Sequence, residues 1–421
     1  MPSVPERLRV LFVSPFPPVP ATFGAQRRVQ GLLTSLSHHH DVTAVTMLPS
    51  FVEREAAERG LRGICPDSVI IPSPPVAGLG KRVRQLRSLF SLDSYERLHH
   101  DMPELRRTVH RLLTTRRYDI VNVEFPFFGR YDFRQAPPGE RPPKVVLDEH
   151  NVEFDLVRQM AGLHRGLGRH LHNSINWRKL QREEIHAWRT SDGVMFTSAP
   201  DEARARALAP GIQARVVPNA ADITYFHRQP GHPEPDGQTL LFFGTFGYFP
   251  NHDGVLYFLR EIWPKLAATH PRARLKLIGS GAPPEVKAFE GPRVELPGLV
   301  DDVRPHLAGA AAIIVPLRIG GGTRLEILEA MAMGKPIVTT RLGAEGIDAV
   351  DGRDMLFADD PAAFAAAAGR VLDDPGLAAR LGASARALSE QRYSWDAAGR
   401  VVHAFYNELL EAPPAARAAG R

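Results

Sequence analysis

The sequence predicts an α/β protein made of two doubly wound domains, each with a parallel sheet covered by helices on both faces. Short apolar runs alternate with helical patterns along most of the chain, the order expected when helices join parallel strands. Glycine-bearing loops follow several of these runs. A polar segment rich in proline and glycine, residues 227–237, separates the two halves.

Bulk composition fits a globular protein of two or three domains. The chain has 421 residues, 43% of them hydrophobic, and 52 basic against 47 acidic side chains. This small excess is too weak to predict nucleic-acid binding. Cys65 is the one cysteine, so no internal disulfide can form. Neither a signal peptide nor a membrane-spanning run is evident, and we expect a cytoplasmic protein.

In the N-terminal half, strands are predicted at residues 8–14, 41–47, 118–124, 144–148 and 192–198. The first ends in a proline-rich loop, and Gly24 stands just before a helix that carries Arg27 and Arg28 in its first turns. A helix start with basic residues suits an anion. An ordinary strand–helix connection explains the same pattern, so both interpretations stay open.

Polar residues follow two neighbouring strands of this half. Glu124 comes after one strand, and Glu149 and His150 come after the next. Ligands of open parallel sheets bind beyond the carboxyl ends of strands, so His150 lies where a site residue would. We expect no metal at His150, because no second ligand pair lies at useful spacing in the sequence.

Residues 78–98 predict a basic amphipathic helix. Apolar and basic residues alternate on it at helical spacing: Leu79, Val83, Leu86 and Phe90, with Lys81, Arg82, Arg84 and Arg87 between them. Such a helix can lie on an anionic membrane. A surface helix that packs its apolar face on its own domain is the alternative that we favour.

In the C-terminal half, strands are predicted at residues 239–243, 274–278, 294–296, 311–317, 337–340 and 355–357. The stretch from 311 to 340 reads as strand, glycine turn, helix and strand. Thr323 is predicted to start the helix, and Thr323 with Glu326 has the form of a capping box. Arg324 adds positive charge at a helix start that suits a phosphate, and Glu329 could reach a ligand hydroxyl. A plain crossover connection remains the alternative.

Seven motifs occur in a consistent order: SPFPPVPATFGAQRR, LDEHNVEF, VVPNAAD, LLFFGTFGYFPNHDG, LKLIGSGAP, VELPGLVDDV and GGGTRLEILEAMAMGKPIVTTRLGAEGI. With them the chain resembles the retaining, GT-B type glycosyltransferases of family 4, also called group 1 glycosyltransferases. Within that family it is most similar to bacterial enzymes that build exopolysaccharide or other surface glycans. The resemblance implies two facing Rossmann-like domains with a cleft between them.

The resemblance also implies that the two halves of the chain have different binding roles. Residues 1–212 would form the acceptor-side domain and residues 213–392 the domain that binds a nucleotide sugar. A final helix at about 393–412 would pack back on the first domain, and 413–421 would be a disordered tail. The acceptor would be a glycan or lipid-linked glycan, and the basic helix could associate peripherally with the inner membrane face. Nucleic acid is not an expected partner.

Site roles follow from the same resemblance. Glu329 matches the second glutamate of the family's E-x7-E motif, which typically holds the donor ribose, whereas the first glutamate is replaced by Gly321. Backbone N–H groups would do part of that task, and Arg324 would replace the family's missing Arg and Lys pair. His150 matches a histidine near the donor sugar. The predicted catalytic residues are His150 and Arg324, and the predicted donor-binding residues are Gly24, Thr245, Gly281, Val300, Gly321, Gly322, Thr323 and Glu329.

The implied reaction retains the anomeric configuration and needs no metal or other cofactor, since no Asp-x-Asp motif is placed to bind one. Glu326 could compensate for Gly321, although its place in the predicted capping box favours a structural role. Two other functions stay open. A nucleotide-sugar epimerase or hydrolase would use the same two-domain plan, and a binding protein without catalysis would explain the missing glutamate and the missing basic pair.

Overall fold

A computed structural model describes residues 7–21, 23–50, 52–73, 78–163, 167–320 and 323–412, which divide into two compact units. The first unit ends at Val217 and resumes at Ala398, and the second runs from Pro218 to Ala397. The predicted boundary at 212/213 lies five residues earlier. That position falls before a strand that pairs within the first sheet. Gly321, Gly322 and the predicted tail at 413–421 lie outside the described residues.

The described part of the first unit contains a seven-stranded, fully parallel sheet in the order β3-β2-β1-β4-β5-β6-β7. Its strands are β1 Arg9–Ser14, β2 Asp41–Leu48, β3 Ser68–Pro72, β4 Ile120–Glu124, β5 Lys144–Glu149, β6 Gly193–Phe196 and β7 Ala214–Val216. The strand order reverses between β1 and β4, and ligands of such sheets bind beyond the carboxyl ends at that point. The central strands are buried on both faces, which explains their nearly continuous apolar sequences.

Helices cover both faces of this sheet. They are α1 Gly24–His39, α2 Arg54–Ile64, α3 Gly78–Phe90, α4 Tyr95–His100, α5 Pro103–Thr115, α6 Glu153–Leu163, α7 Leu167–Thr190 and α8 Ala199–Leu208. The long helical stretch predicted over residues 154–190 corresponds to α6 and α7, which lie on either side of residues 164–166, outside the described part of the chain.

The second unit repeats the same plan, with a six-stranded parallel sheet within its described residues in the order β10-β9-β8-β11-β12-β13. Its strands are β8 Thr239–Phe243, β9 Arg274–Ile278, β10 Val294–Gly298, β11 Ala312–Val315, β12 Ile337–Thr339 and β13 Leu356–Phe357. The strand order reverses between β8 and β11. The predicted α/β fold class with doubly wound parallel sheets is confirmed.

The helices that follow β8 complete the chain. They are α9 Phe249–Tyr257, α10 Trp263–Thr269, α11 Pro284–Lys287, α12 Arg304–Gly309, α13 Leu325–Ala332, α14 Pro361–Asp373, α15 Pro375–Arg392 and α16 Trp395–Glu411. A π-helical turn, Phe258–Ile262, joins α9 to α10 where one regular helix was predicted. Pro264 lies one residue beyond Trp263, and its missing N–H interrupts regular α-helical bonding there. From Ala398 onward, α16 belongs to the first unit.

The apolar stripe of α3 faces solvent. Val83, Leu86 and Phe90 are 49%, 58% and 86% exposed, so the favoured prediction that this stripe packs on its own domain is wrong for these three residues. The opposite side of the helix is held by α7, where the Lys179 ammonium donates to the carbonyls of Ser88 and Ser91. Among the described helices, none is both long and apolar enough to cross a membrane.

Candidate active site

Two glycine-bearing loops meet at the carboxyl edge of the second sheet. After β8, the Gly244 N–H donates to the Ile278 carbonyl at 3.0 Å, and the Thr245 hydroxyl lies 3.3 Å from that of Ser280. A Cβ added to Gly279 would lie 1.8 Å from the Gly244 carbonyl oxygen. Only glycine allows this approach. The structure thus brings Thr245 together with the loop that contains Gly281.

The loop between β11 and α13 differs from its prediction. The helix begins at Leu325, and Arg324 is the N-cap residue with extended backbone angles (φ −79°, ψ 118°). The Arg324 side chain makes no capping hydrogen bond, and Thr323 lies one residue before the N-cap, so the predicted capping box with Thr323 at the helix start is wrong. The Thr323 carbonyl instead accepts a bond from the Asn219 amide at 2.7 Å. The backbone at Arg324, directly after this tertiary contact, is extended.

Arg324 is largely buried at this edge, with only 8% of its side chain exposed. Its guanidinium lies against Gly320, where an added Cβ would fall 2.1 Å from Nη2. Arg324, Glu326 and Asn251 line one small cavity under the ends of β8 and β11. Because the Asn251 amide also donates to the Thr245 carbonyl at 3.1 Å, the cavity connects the two loops.

The other predicted donor-side residues lie on the same edge. Glu329 is buried in the second turn of α13, and Val300 is half-buried two residues beyond β10. Arg318, the other arginine of the β11–α13 loop, pairs with Asp253 at 2.7 Å and lies over the Tyr257 ring. Its charge is already compensated within the unit.

The first unit carries a buried polar cluster at the carboxyl edge of its own sheet. The Arg28 guanidinium makes two hydrogen bonds to the Asp148 carboxylate, at 2.6 and 2.9 Å, and a third to the Val217 carbonyl at 3.1 Å. Arg28 and Asp148 are almost fully buried. The suggestion that Arg28 serves an external anion is therefore wrong, because an internal carboxylate occupies it. Gly24 is the first residue of α1, on the same edge.

His150 lies inside this cluster. Its Nε2 is 2.7 Å from Glu124 Oε2, and the other Glu124 oxygen accepts from the Asn122 amide at 2.8 Å. The imidazole stacks on Phe125, with ring centres 4.0 Å apart. Phe125 has φ 72° and ψ 151°, a region almost restricted to glycine. This backbone strain directs the phenyl ring to the face of His150.

Burial sets the protonation states in the cluster. It lowers the pKa of His150 to about 3 and raises the pKa of Glu124 to about 7. Burial also raises the pKa of Asp148, and Arg28 opposes that shift. At neutral pH the His150 imidazole is therefore neutral. Its contact with Glu124 is a hydrogen bond and not a salt bridge.

The expectation that no metal-ligand group surrounds His150 needs correction. Glu124, Asp148 and His150 offer ligand atoms that all lie within 4.8 Å of one another. However, Arg28 already binds both Asp148 oxygens, and Asn122 binds one oxygen of Glu124. A cation at this position would stand beside a buried guanidinium. The donor set therefore fits an internal hydrogen-bond network better than a metal ion.

Several members of this network were missed from sequence. Asn122 and Glu124 are polar residues at alternate positions of an otherwise apolar strand, a pattern that could have indicated a shared site. Tyr406, whose hydroxyl donates to Asn122 at 2.8 Å, gave no such signal. It lies 284 residues away on a helix with ordinary amphipathic spacing.

Comparison with known proteins places the second unit. Residues 237–374 match the family model described as glycosyl transferases group 1. The matched region contains Thr245, Gly281, Val300, Arg324 and Glu329, so the loops described above lie within it.

Curated relatives extend the likeness at low identity. A D-inositol 3-phosphate glycosyltransferase of Acidothermus cellulolyticus is 28% identical over 236 residues, which are 51% of this chain and 50% of that protein. A glycogen synthase of Mycobacterium tuberculosis is 27% identical over 265 residues, 56% of this chain and 58% of that protein. The chain matches these curated relatives over about half of their length.

Similar solved structures cover nearly the whole chain and so support the fold outside residues 237–374 as well. Sucrose-phosphate synthase from Thermosynechococcus elongatus has a TM-score of 0.70 at 17% identity. The match covers 96% of this chain and 99% of the synthase chain. Anabaena HepE in complex with UDP-glucose has a TM-score of 0.63 at 14% identity, with 94% and 99% covered. This likeness supports the α/β fold with its two doubly wound parallel sheets.

Proposed function

We propose that this protein is a retaining glycosyltransferase that moves a sugar from a nucleotide-sugar donor to a glycan or lipid-linked acceptor without a metal. The observation that carries the proposal is the meeting of the Thr245 and Gly281 loops with Arg324 at the strand-order reversal of a group 1 glycosyltransferase domain. Structures of Anabaena HepE, which is similar to this chain, are complexes with UDP or UDP-glucose, and this supports a nucleotide-sugar donor here.

The chemistry asks for positive charge at the leaving group. Cleavage of a sugar–phosphate bond leaves negative charge on the diphosphate, and fixed donors aimed at it stabilise the transition state. In this proposal Arg324 binds the diphosphate beside the start of α13. Backbone N–H groups of Gly321, Gly322 and Thr323 contact the donor sugar in place of the missing first glutamate. Glu329 binds the ribose, and Thr245, Gly281 and Val300 border the nucleotide.

The first unit contributes His150. A neutral imidazole, oriented by Glu124 and Phe125, is suited to a hydrogen bond with a sugar hydroxyl. Retention is proposed to occur by front-face substitution, in which the diphosphate helps to take the acceptor proton. Because the Arg324 guanidinium supplies the charge that a metal would otherwise provide, we propose a metal-independent reaction.

Donor binding and turnover test this function directly. The purified protein is screened against UDP, GDP and ADP sugars by thermal shift, since a ligand at 100 times its Kd stabilises by about 2.7 kcal/mol. The best donor is then incubated with and without glycan acceptors, and nucleotide release is measured. Acceptor-dependent release is expected. Isomerised or hydrolysed donor without an acceptor would favour the epimerase or hydrolase, and binding without turnover would favour a non-catalytic binder.

Glu329→Ala is expected to weaken donor affinity about tenfold, because hydrogen bonds to a charged group contribute about 1.5–3 kcal/mol. Isothermal titration with the donor measures the loss. Glu261→Ala, which removes an exposed carboxylate of the same unit, is the matched control and should bind the donor normally. Unchanged affinity in a folded Glu329→Ala protein would contradict the ribose role.

A peripheral association with an anionic membrane surface is also part of the proposal. Its support is the exposed stripe of Val83, Leu86 and Phe90 on α3, together with the exposed Arg87 on the same helix. Leu92, just beyond the helix, is also exposed. Apolar side chains flanked by basic residues suit the interface of an anionic bilayer.

Vesicle co-sedimentation tests this surface. The protein is expected to bind vesicles that contain phosphatidylglycerol and to leave pure phosphatidylcholine vesicles unbound. Leu86→Ser with Phe90→Ser should reduce binding at least about tenfold, since each buried apolar side chain contributes about 1.5–3 kcal/mol. Leu299→Ser removes an equally exposed leucine of the second unit and serves as the control. Equal binding by the α3 variant and the control would exclude α3 as the contact.

A further inference from the structure

The last helix approaches the sheet of the first unit very closely. A Cβ added to Gly193 in β6 would lie 2.6 Å from Leu409 and 2.8 Å from Phe405, both on α16. A Cβ added to Gly399 would fall 1.9 Å from the Ser35 hydroxyl on α1. Glycine at these two positions lets α16 lie close enough for Tyr406 to reach Asn122 in β4. Tyr406 is completely buried there.

The contact fixes the orientation of the Asn122 amide. The Tyr406 hydroxyl donates to Asn122 Oδ1 at 2.8 Å, and Asn122 Nδ2 donates to Glu124 Oε1 at 2.8 Å. A flipped amide would place its oxygen against the Glu124 carboxylate, and two acceptors cannot share a hydrogen bond. Burial raises the pKa of Tyr406 well above its usual range, so the hydroxyl keeps the proton that it donates.

The amide in turn orients Glu124. With Oε1 bound by Asn122, the other oxygen, Oε2, faces His150 Nε2 at 2.7 Å. The ring therefore has one edge fixed by a carboxylate and one face fixed by Phe125. The charged groups that surround this contact are Asp148, 3.7 Å from Nε2, and Arg28, which pairs with Asp148. Above its pKa of about 7, Glu124 is ionised and its carboxylate accepts from Nε2–H, and this selects a single imidazole tautomer.

We infer that Tyr406 is a positioning residue for His150, acting through Asn122 and Glu124, so that the C-terminal helix sets the tautomer and orientation of the histidine. This inference rests on the proposed function for its effect on sugar transfer, because Tyr406 itself touches no substrate. The four side chains form one continuous chain of hydrogen bonds from α16 to β5. Removal of the Tyr406 hydroxyl takes away one of the two hydrogen bonds that hold the Asn122 amide and so loosens the acceptor that holds the ring.

Tyr406→Phe tests the inference, because it removes the hydroxyl and keeps the ring. The first measurement is ¹⁵N NMR of histidine-labelled protein, with His150→Gln used to assign the signal. In the unaltered protein, His150 is expected to show protonated Nε2 at a pH well above the Glu124 pKa of about 7, where Glu124 is ionised. In Tyr406→Phe, the signal should move toward a mixture of tautomers or broaden by exchange. The second measurement is kinetic: kcat should fall about tenfold, with the donor KM changed less than about twofold.

Tyr393→Phe is the matched control. Tyr393 is also buried, and its hydroxyl accepts one hydrogen bond, from the Asp348 N–H at 2.8 Å, within the second unit. Its loss should leave the His150 signal and kcat near those of the unaltered protein. If Tyr406→Phe does not fold, Asn122→Ser interrupts the same chain of hydrogen bonds at its bridging amide, and the same two changes are expected.

An unchanged tautomer and kcat in folded Tyr406→Phe would overturn the inference. Failure of the proposed function would look different. If no nucleotide sugar is turned over by any of the proteins, the kinetic comparison disappears, whereas the NMR comparison still decides whether Tyr406 controls His150.

Discussion

Arg28→Met is expected to lower the free energy of unfolding by about 3–5 kcal/mol, because it leaves a buried carboxylate without its partner. Arg28 makes two hydrogen bonds to Asp148 and one to the Val217 carbonyl, and all of these atoms are removed from water. Methionine preserves much of the side-chain volume, so the loss reports the unpaired charge and not a cavity. Denaturant unfolding followed by circular dichroism measures it.

Two further proteins sharpen this measurement. Arg62→Met removes a solvent-exposed arginine whose contact with Glu58 is 3.7 Å long, and should cost less than about 1 kcal/mol. Adding Asp148→Asn to Arg28→Met removes the uncompensated charge and should recover part of the stability. A loss for Arg28→Met as small as that for Arg62→Met would show that the buried pair is not important for the fold.

The loss should also depend on pH. Without Arg28, the pKa of the buried Asp148 in the folded state rises further above its unfolded value of about 3.9. A raised carboxyl pKa makes the folded state bind its proton more tightly. The protonated Asp148 carboxyl therefore stabilises the folded state fully at a pH below its unfolded-state pKa. This stabilisation is lost as the pH rises from that value through the folded-state pKa. The deficit of Arg28→Met relative to the unaltered protein should therefore be smaller at pH 4 than at pH 7.

Arg324→Ala is expected to weaken binding of a nucleoside diphosphate by about 10- to 100-fold. A charge-assisted bond to phosphate contributes about 1.5–3 kcal/mol, and each 1.4 kcal/mol is a factor of ten in Kd. The side chain lies at the edge where the two glycine loops meet, beside the start of α13. Titration with the diphosphate measures the affinity of the variant and of the unaltered protein.

Controls separate a lost charge from a damaged site. Arg318→Ala removes an arginine from the same loop, but one that pairs with Asp253, and should bind the diphosphate normally. Affinity for the nucleoside without phosphates should be the same in Arg324→Ala and the unaltered protein. If the diphosphate also binds both proteins equally, Arg324 does not contact the phosphates.

The strands were predictable because burial on both faces leaves a direct mark on the sequence. Runs such as residues 8–14 and 239–243 contain almost nothing but apolar residues, and they form the central strands β1 and β8. The position of His150 and of the glycine loops followed from the rule that sites collect at the carboxyl ends of parallel strands. β3 was missed, since Ser68–Pro72 is a short edge strand.

The errors share a physical cause, which is that long-range contacts override local patterns. Thr323 and Glu326 have capping-box spacing, yet Asn219, 104 residues away, binds the Thr323 carbonyl. Arg28 resembles a residue at an anion-binding helix start, yet its partner is Asp148, 120 residues along the chain. No window of local sequence contains these partners.

The position of α16 has a consequence for synthesis of the chain. The hydroxyl that binds Asn122 belongs to Tyr406, so a nascent chain that has just completed β7 still lacks it. The second unit must be translated before Tyr406 leaves the ribosome, and until then the centre of the first sheet exposes an unsatisfied amide. The nascent first unit is therefore expected to remain a substrate for chaperones until α16 has been translated, and not only until β7 is complete. Deletion of residues 398–412 should lower the free energy of unfolding of the first unit more than that of the second. These residues belong to the first unit although they follow the second unit in sequence.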